Sequence, residues 1–143
     1  MIYLLPTELE KIQLHGSHDY PNECCGFLLG SDKDDRKLVT EAWPAPNSRL
    51  DSPRNRFLIT ADDWRAGEKY AQQQGLDILG FYHSHPDHPA RPSEYDREHA
   101  WPWMSYIILS VEEGQPKLIT SWLLTEDRTK FEEETIEICQ SKS

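Results

Sequence analysis

Short apolar runs interleaved with three helix-start signals constrain this chain more than any other feature. Residues 2–5 read as a strand. Pro6-Thr7-Glu8 opens a helix, with Leu9, Ile12 and Leu14 at rough helical spacing as far as His18. Residues 24–30 are an apolar strand closed by turn residues 30–35, and a second strand follows at 37–43. The stretch 44–56 holds Pro44, Pro46 and Pro53 and reads as a surface loop, with a strand fragment at 57–59. Thr60, followed by Asp62 and Asp63, is a second helix start, and Gly75 ends that helix. Residues 77–85 then read as a strand and 86–92 as irregular. Ser93-Glu94-Tyr95-Asp96 marks a helix N-terminus, and 105–111 and 117–124 are paired strands. Residues 130–138 fit a strand or a helix equally. Helices between runs of strands that pair through short turns imply an α/β (α+β) fold, a mixed sheet with helices packed on it.

The 143 residues form one expected domain, 1–143, with no internal repeat or Gly/Ser linker. No window approaches the roughly 20 apolar residues of a membrane span. A net charge of −10 argues against nucleic-acid phosphates as partners. The N-terminus lacks a basic stretch and a long apolar core, so the expected location is the cytoplasm. Cys24 and Cys25 are adjacent, where a mutual disulfide is strained, and Cys139 stands alone. All three read as reduced structural thiols.

The chemically dense segment is His83-Ser84-His85-Pro86 followed by Ser93-Glu94-Tyr95-Asp96. If His83 and His85 end a strand, its period of two puts both imidazoles on one face. Ser93 and Asp96 share a face at a helix start, and the proline-rich turn can fold that face over the histidines. Two imidazoles and a carboxylate make a three-ligand site that leaves one position of a tetrahedral Zn²⁺ open. Ser93 is the candidate donor to an oxyanion. Glu23, placed just before an apolar strand, is the candidate base. His15, His18, His88 and His99 read as solvated or hydrogen-bonded, with His88 close enough to the site to touch substrate.

These residues resemble a family. Glu23, His83-Ser84-His85-Pro86, Ser93 and Asp96, with ten residues between His85 and Asp96, look like the signature of the JAMM or MPN-plus metalloproteases. Pro21-x-Glu23-x-Cys25-Gly26 followed by Leu28-x-Gly30 resembles the segment carrying that family's glutamate, and Gly80-Phe81-Tyr82 resembles the lead-in to its metal strand. The resemblance implies an MPN (cytidine-deaminase-like) three-layer sandwich, with a curved mixed β-sheet flanked by helices. It also implies one zinc on His83, His85 and Asp96, Glu23 as general acid/base and Ser93 as the oxyanion-stabilising hydroxyl. The implied substrate is a peptide or isopeptide bond at the C-terminal Gly-Gly tail of a small ubiquitin-like or sulfur-carrier β-grasp protein, as in the prokaryotic stand-alone branch. The tail is expected to pair with an exposed strand edge near the metal, with Arg49, Arg54, Arg56 and Arg91 as candidate contacts to acidic groups. Two alternatives use the same residues. One is a non-haem iron oxygenase with a His/His/Asp triad, and the other is a non-catalytic scaffold of the same fold.

Overall fold

The computed structural model describes residues 1–34, 36–45 and 60–139. Their strands are β1 (Ile2–Leu4), β2 (Cys25–Lys33), β3 (Arg36–Ala45), β4 (Asp77–Pro86), β5 (Ser105–Glu112), β6 (Gln115–Leu124), β7 (Phe131–Glu134) and β8 (Ile136–Ile138). All join one mixed sheet in the order β7-β6-β5-β4-β2-β3-β1-β8. β4 runs parallel to β5, and β1 runs parallel to both β3 and β8; the remaining described pairs are antiparallel. Three helices, α1 (Pro6–Asp19), α2 (Ala61–Gln74) and α3 (Glu94–His99), complete the described structure.

β7 and β8 lie at opposite ends of the strand order, yet only Thr135 separates them in sequence, so the sheet has to curl until its ends meet. Ile2 N–H donates to the Thr135 carbonyl at 2.9 Å, and the N-terminal ammonium lies 3.7 Å from the Glu134 carboxylate. Register shifts in the β2–β3, β2–β4 and β5–β6 ladders add local bending. α1 occupies the concave face and touches β3, β4, β5 and β6. Its Ile12 packs into a core with Ile2, Leu28, Tyr82, Ile107 and Leu109. α2 covers the other face, where Ala71 and Trp64 pack with Phe27, Phe81 and Tyr106. The result is helix, curved sheet, helix, the layering the family resemblance implies. β4, covered on both faces, is buried from Leu79 to Pro86 without an alternating exposed side.

The local signals explain the helix ends. Thr60 and Asp63 form a reciprocal capping box at the start of α2, and Gly75 ends it in the left-handed conformation at φ 69°. Two expectations shift. The β2–β3 hairpin runs through residues 31–33, read from sequence as a turn, and the ladder continues to Pro44 and Ala45 at the other end. Pro44 fits because Ala42, two residues earlier, points its N–H away from β2 to Glu8 Oε1 at 2.9 Å, so the missing N–H of Pro44 falls on that outer edge. The ambiguous stretch 130–138 is two strands, because closing the curl requires partners for β6 and β1. The expected loop at 46–56, the strand fragment at 57–59, and Arg49, Arg54 and Arg56 lie outside the described residues. Among those described, no helix is long and apolar enough to cross a membrane.

Candidate active site

β4 presents Phe81, His83 and His85 to the α2 side of the sheet, while Tyr82 and Ser84 face the α1 side. After Pro86 the chain turns through Asp87 at φ 57°. The Pro89 carbonyl then lies 2.8 Å from His85 Nδ1. Ser93 starts α3 with a capping box: its Oγ accepts from Asp96 N–H at 3.1 Å, and Asp96 Oδ2 accepts from Ser93 N–H at 2.8 Å. The helix start therefore fixes the carboxylate, and its Oδ2 also lies 3.4 Å from His83 Nε2 and 3.3 Å from His85 Nε2. The two Nε2 atoms are 3.1 Å apart.

These separations are those of ligands around one small cation. Ligand bonds of about 2.0–2.1 Å in a tetrahedron put ligand atoms about 3.3–3.4 Å apart. If His85 Nδ1 donates to Pro89, its Nε2 is a bare acceptor facing a carboxylate oxygen, two lone pairs that a cation between them reconciles. Burial pushes the His83 imidazole below its usual range despite the nearby Asp96, keeping it in the neutral form that ligation needs. Burial opposes charge on Asp96, but the two histidines outweigh it and hold the carboxyl well below its usual range. Among the described residues, this is the group of His, Cys, Asp and Glu able to share an ion.

Glu23 precedes β2, whose Cys25 pairs with His83, and only 4% of it is exposed. Burial first, and repulsion by Asp96 second, push its carboxyl up to about 9. Ser93 is exposed, and because its oxygen accepts in the cap, its own proton remains to be donated. Burial likewise pushes the Cys24 thiol up to about 12, and Cys25 rises too, so neither is poised as a nucleophile. All three cysteines are free thiols.

A cavity of about 570 Å³ opens beside the cluster between the starts of α2 and α3. His83 and Asp96 line it together with Trp64, Phe81, Trp101 and Tyr106. Trp64 and Trp101 were not distinguishable in sequence from core aromatics. His99 also lines this cavity, exposed, stacked on Tyr95 at 4.0 Å and with Nδ1 2.9 Å from the Tyr95 carbonyl, in keeping with its reading as solvated or hydrogen-bonded. His88 and Arg91 instead line a separate surface hollow with Lys117 and Glu133. His15 sits on the α1 side, 2.7 Å from the Tyr82 hydroxyl, and His18 bonds Asp19 at the surface. β2, β4 and β5 are interior in the strand order, but the β2–β4 ladder ends at Cys25–His83 while β4 continues to Pro86.

A family profile described as prokaryotic homologs of the JAB domain matches residues 7–125. The chain is similar to a protein named "Desampylase" from Haloferax volcanii, 38% identical over 64% of this chain and 65% of that protein, so the match spans just under two thirds of its length. It is similar to a Thermus thermophilus protein named "Probable TtuB-protein conjugate cleaving protease", 30% identical over 78% of this chain and 72% of the relative. Its fold is similar to the crystal structure of AF2198, a JAB1/MPN domain protein from Archaeoglobus fulgidus. The TM-score is 0.62 at 20% identity, covering 96% of this chain and 99% of the other.

Proposed function

Because this chain belongs to the prokaryotic JAB-domain family, we propose that it is a zinc-dependent hydrolase of the reducing cytoplasm. Its bond is a peptide or isopeptide bond at the C-terminal Gly-Gly tail of a small ubiquitin-like or sulfur-carrier β-grasp protein. The observation that carries this reading is the convergence of His83 Nε2, His85 Nε2 and Asp96 Oδ2 to within 3.1–3.4 Å of one another beside an open cavity. The names of the Haloferax and Thermus relatives support the substrate class.

His83, His85 and Asp96 would hold the ion. Zinc bound there would supply Lewis acidity toward a carbonyl oxygen and a water. With a cation held beside it, which would lower the proton affinity that burial raises in the metal-free protein, Glu23 would take the proton from the attacking water and return it to the departing amine. Ser93 donates its hydroxyl proton to the oxygen that becomes negative as the carbonyl carbon turns tetrahedral. Pro89 keeps the His85 ring oriented. No acyl-enzyme is needed, which agrees with the unreactive state of Cys24.

The direct test incubates purified, zinc-loaded protein with a Gly-Gly carrier bearing a C-terminal extension, and with the same carrier linked to a lysine. Mass spectrometry of the products should show scission after the second glycine of at least one. An intact pair of substrates alongside one equivalent of zinc per chain overturns the substrate class.

A further inference from the structure

Glu23 is flanked by two ties, one to the strand that carries the histidines and one to the turn that follows it. On its C-terminal side, Cys24 N–H donates to Ser84 Oγ at 2.8 Å, and Ser84 N–H donates to the Cys24 carbonyl at 3.1 Å. Both residues are buried, at 1% and 0% exposure. β2 begins only at Cys25, and the last residue pair of the β2–β4 ladder is Cys25 with His83. The Cys24–Ser84 link therefore lies one step beyond the ladder. In a regular antiparallel pair the Cys24 N–H would seek a backbone carbonyl. Here a side-chain hydroxyl takes it, so the segment before Cys24 leaves the sheet while still anchored to it. On the N-terminal side, the Tyr20 hydroxyl donates to Asp87 Oδ2 at 2.6 Å, and Asp87 Oδ1 accepts from Glu113 N–H at 2.9 Å.

We infer that Ser84, backed by the Tyr20–Asp87 tie, is a positioning residue that sets the distance of Glu23 from the His83–His85–Asp96 cluster. Ser84 lies between the two histidines in sequence but faces the opposite side of the sheet, so it touches neither the cluster nor the cavity. It acts on the reaction only through the backbone of Cys24. Removing its hydroxyl strands a buried N–H, and residues 22–24 relieve that by moving. A shift of about 1 Å at a proton-transferring group costs about 100-fold in rate. The inference rests on the reading of Glu23 as the proton carrier.

The test compares Ser84→Ala, Ser84→Thr and Glu23→Gln, singly and combined, in the zinc-loaded protein. Ser84→Ala should keep its zinc and its KM while kcat falls about 10- to 100-fold. Ser84→Thr, which retains the acceptor, should recover most of that loss. In the Glu23→Gln background, Ser84→Ala should cause no further fall in kcat. An undiminished effect there, or zinc lost from Ser84→Ala, overturns the inference. Amide hydrogen exchange gives a readout independent of any substrate: the Cys24 amide should be protected in the wild type and exchange much faster in Ser84→Ala. Equal protection in the two overturns the clamp. Should the wild type cleave no Gly-Gly carrier, the proposed substrate fails while the exchange comparison still decides the clamp.

Discussion

A carboxyl group 4% exposed and facing Asp96 holds its proton up to about pH 9, whereas in the unfolded chain Glu23 releases it near its ordinary value of 4.5. Between those two values the folded, metal-free protein binds more protons than the unfolded chain, so its stability falls as pH rises. Glu23→Gln has no proton to release, and should flatten that decline. Urea midpoints of metal-free protein at a series of pH values between 5 and about 9 measure it, and parallel slopes for the two proteins would reject the assignment. In the zinc-loaded protein the same substitution should leave the metal in place and lower kcat/KM by about 10²–10⁴-fold. Ser93 caps α3 and, in the proposed mechanism, also donates to the oxyanion. Ser93→Ala removes both the cap and the oxyanion donor, so activity should fall by about 10²–10³-fold and stability by about 1 kcal/mol. Ser93→Thr should keep most of both. Thermal melts and steady-state rates on the same preparations distinguish these cases.

At the scale of the element, α1 does more than fill the concave face. Its buried Glu8 accepts from the Ala42 N–H and from Lys11 Nζ, each at 2.9 Å, and so closes the outer edge of β3 next to Pro44. Burial works against the Glu8 anion, but Lys11 and the Ala42 N–H outweigh it and hold the carboxyl below its ordinary value. A carboxyl lowered in the folded state contributes stability above its unfolded value near 4.5, and that contribution disappears as pH falls. Glu8→Ala should therefore destabilise by about 1.5–3 kcal/mol at pH 7 and progressively less in acid, with kcat unchanged. Urea denaturation at pH 7 and pH 4 tests this, and an equal loss at both would show that Glu8 acts by packing alone. The two capping boxes offer a matched comparison. Thr60→Ala should cost about 1 kcal/mol, the loss expected for Ser93→Ala, but lower hydrolysis far less, since only the box at α3 holds Asp96 of the His83–His85–Asp96 group.

Across the whole molecule, the His83–His85–Asp96 group, which could hold a metal ion, joins the end of β4 to the start of α3, two pieces that the unfolded chain does not hold together. Zinc at 100 times its dissociation constant adds about 2.7 kcal/mol to the folded state. A chelator should lower the melting temperature, added zinc should restore it, and His83→Ala should respond to neither. Much of this was legible beforehand. His83 and His85 share a face because a strand alternates. Asp96 follows Ser93 at capping-box spacing, and Thr60 and Gly75 bound α2 through their own backbone chemistry. Each of those inferences needs only a few neighbouring residues, over which propensity and periodicity act. The sequence by itself thus determined which residue types meet at the His83–His85–Asp96 group, their local spacing and most element boundaries. Other features depended on residues far apart in the chain. Residues 130–138 became strands only because the curled sheet supplies β6 and β1 as partners. Trp64 and Trp101 meet at the cavity because α2 and the segment just after α3 each place an indole against Phe81. Glu23 is buried beside Cys24, whose N–H meets Ser84 Oγ from 60 residues away. Tertiary structure decided these, because a strand partner, a cavity wall or a buried carboxyl is defined by what surrounds it in space.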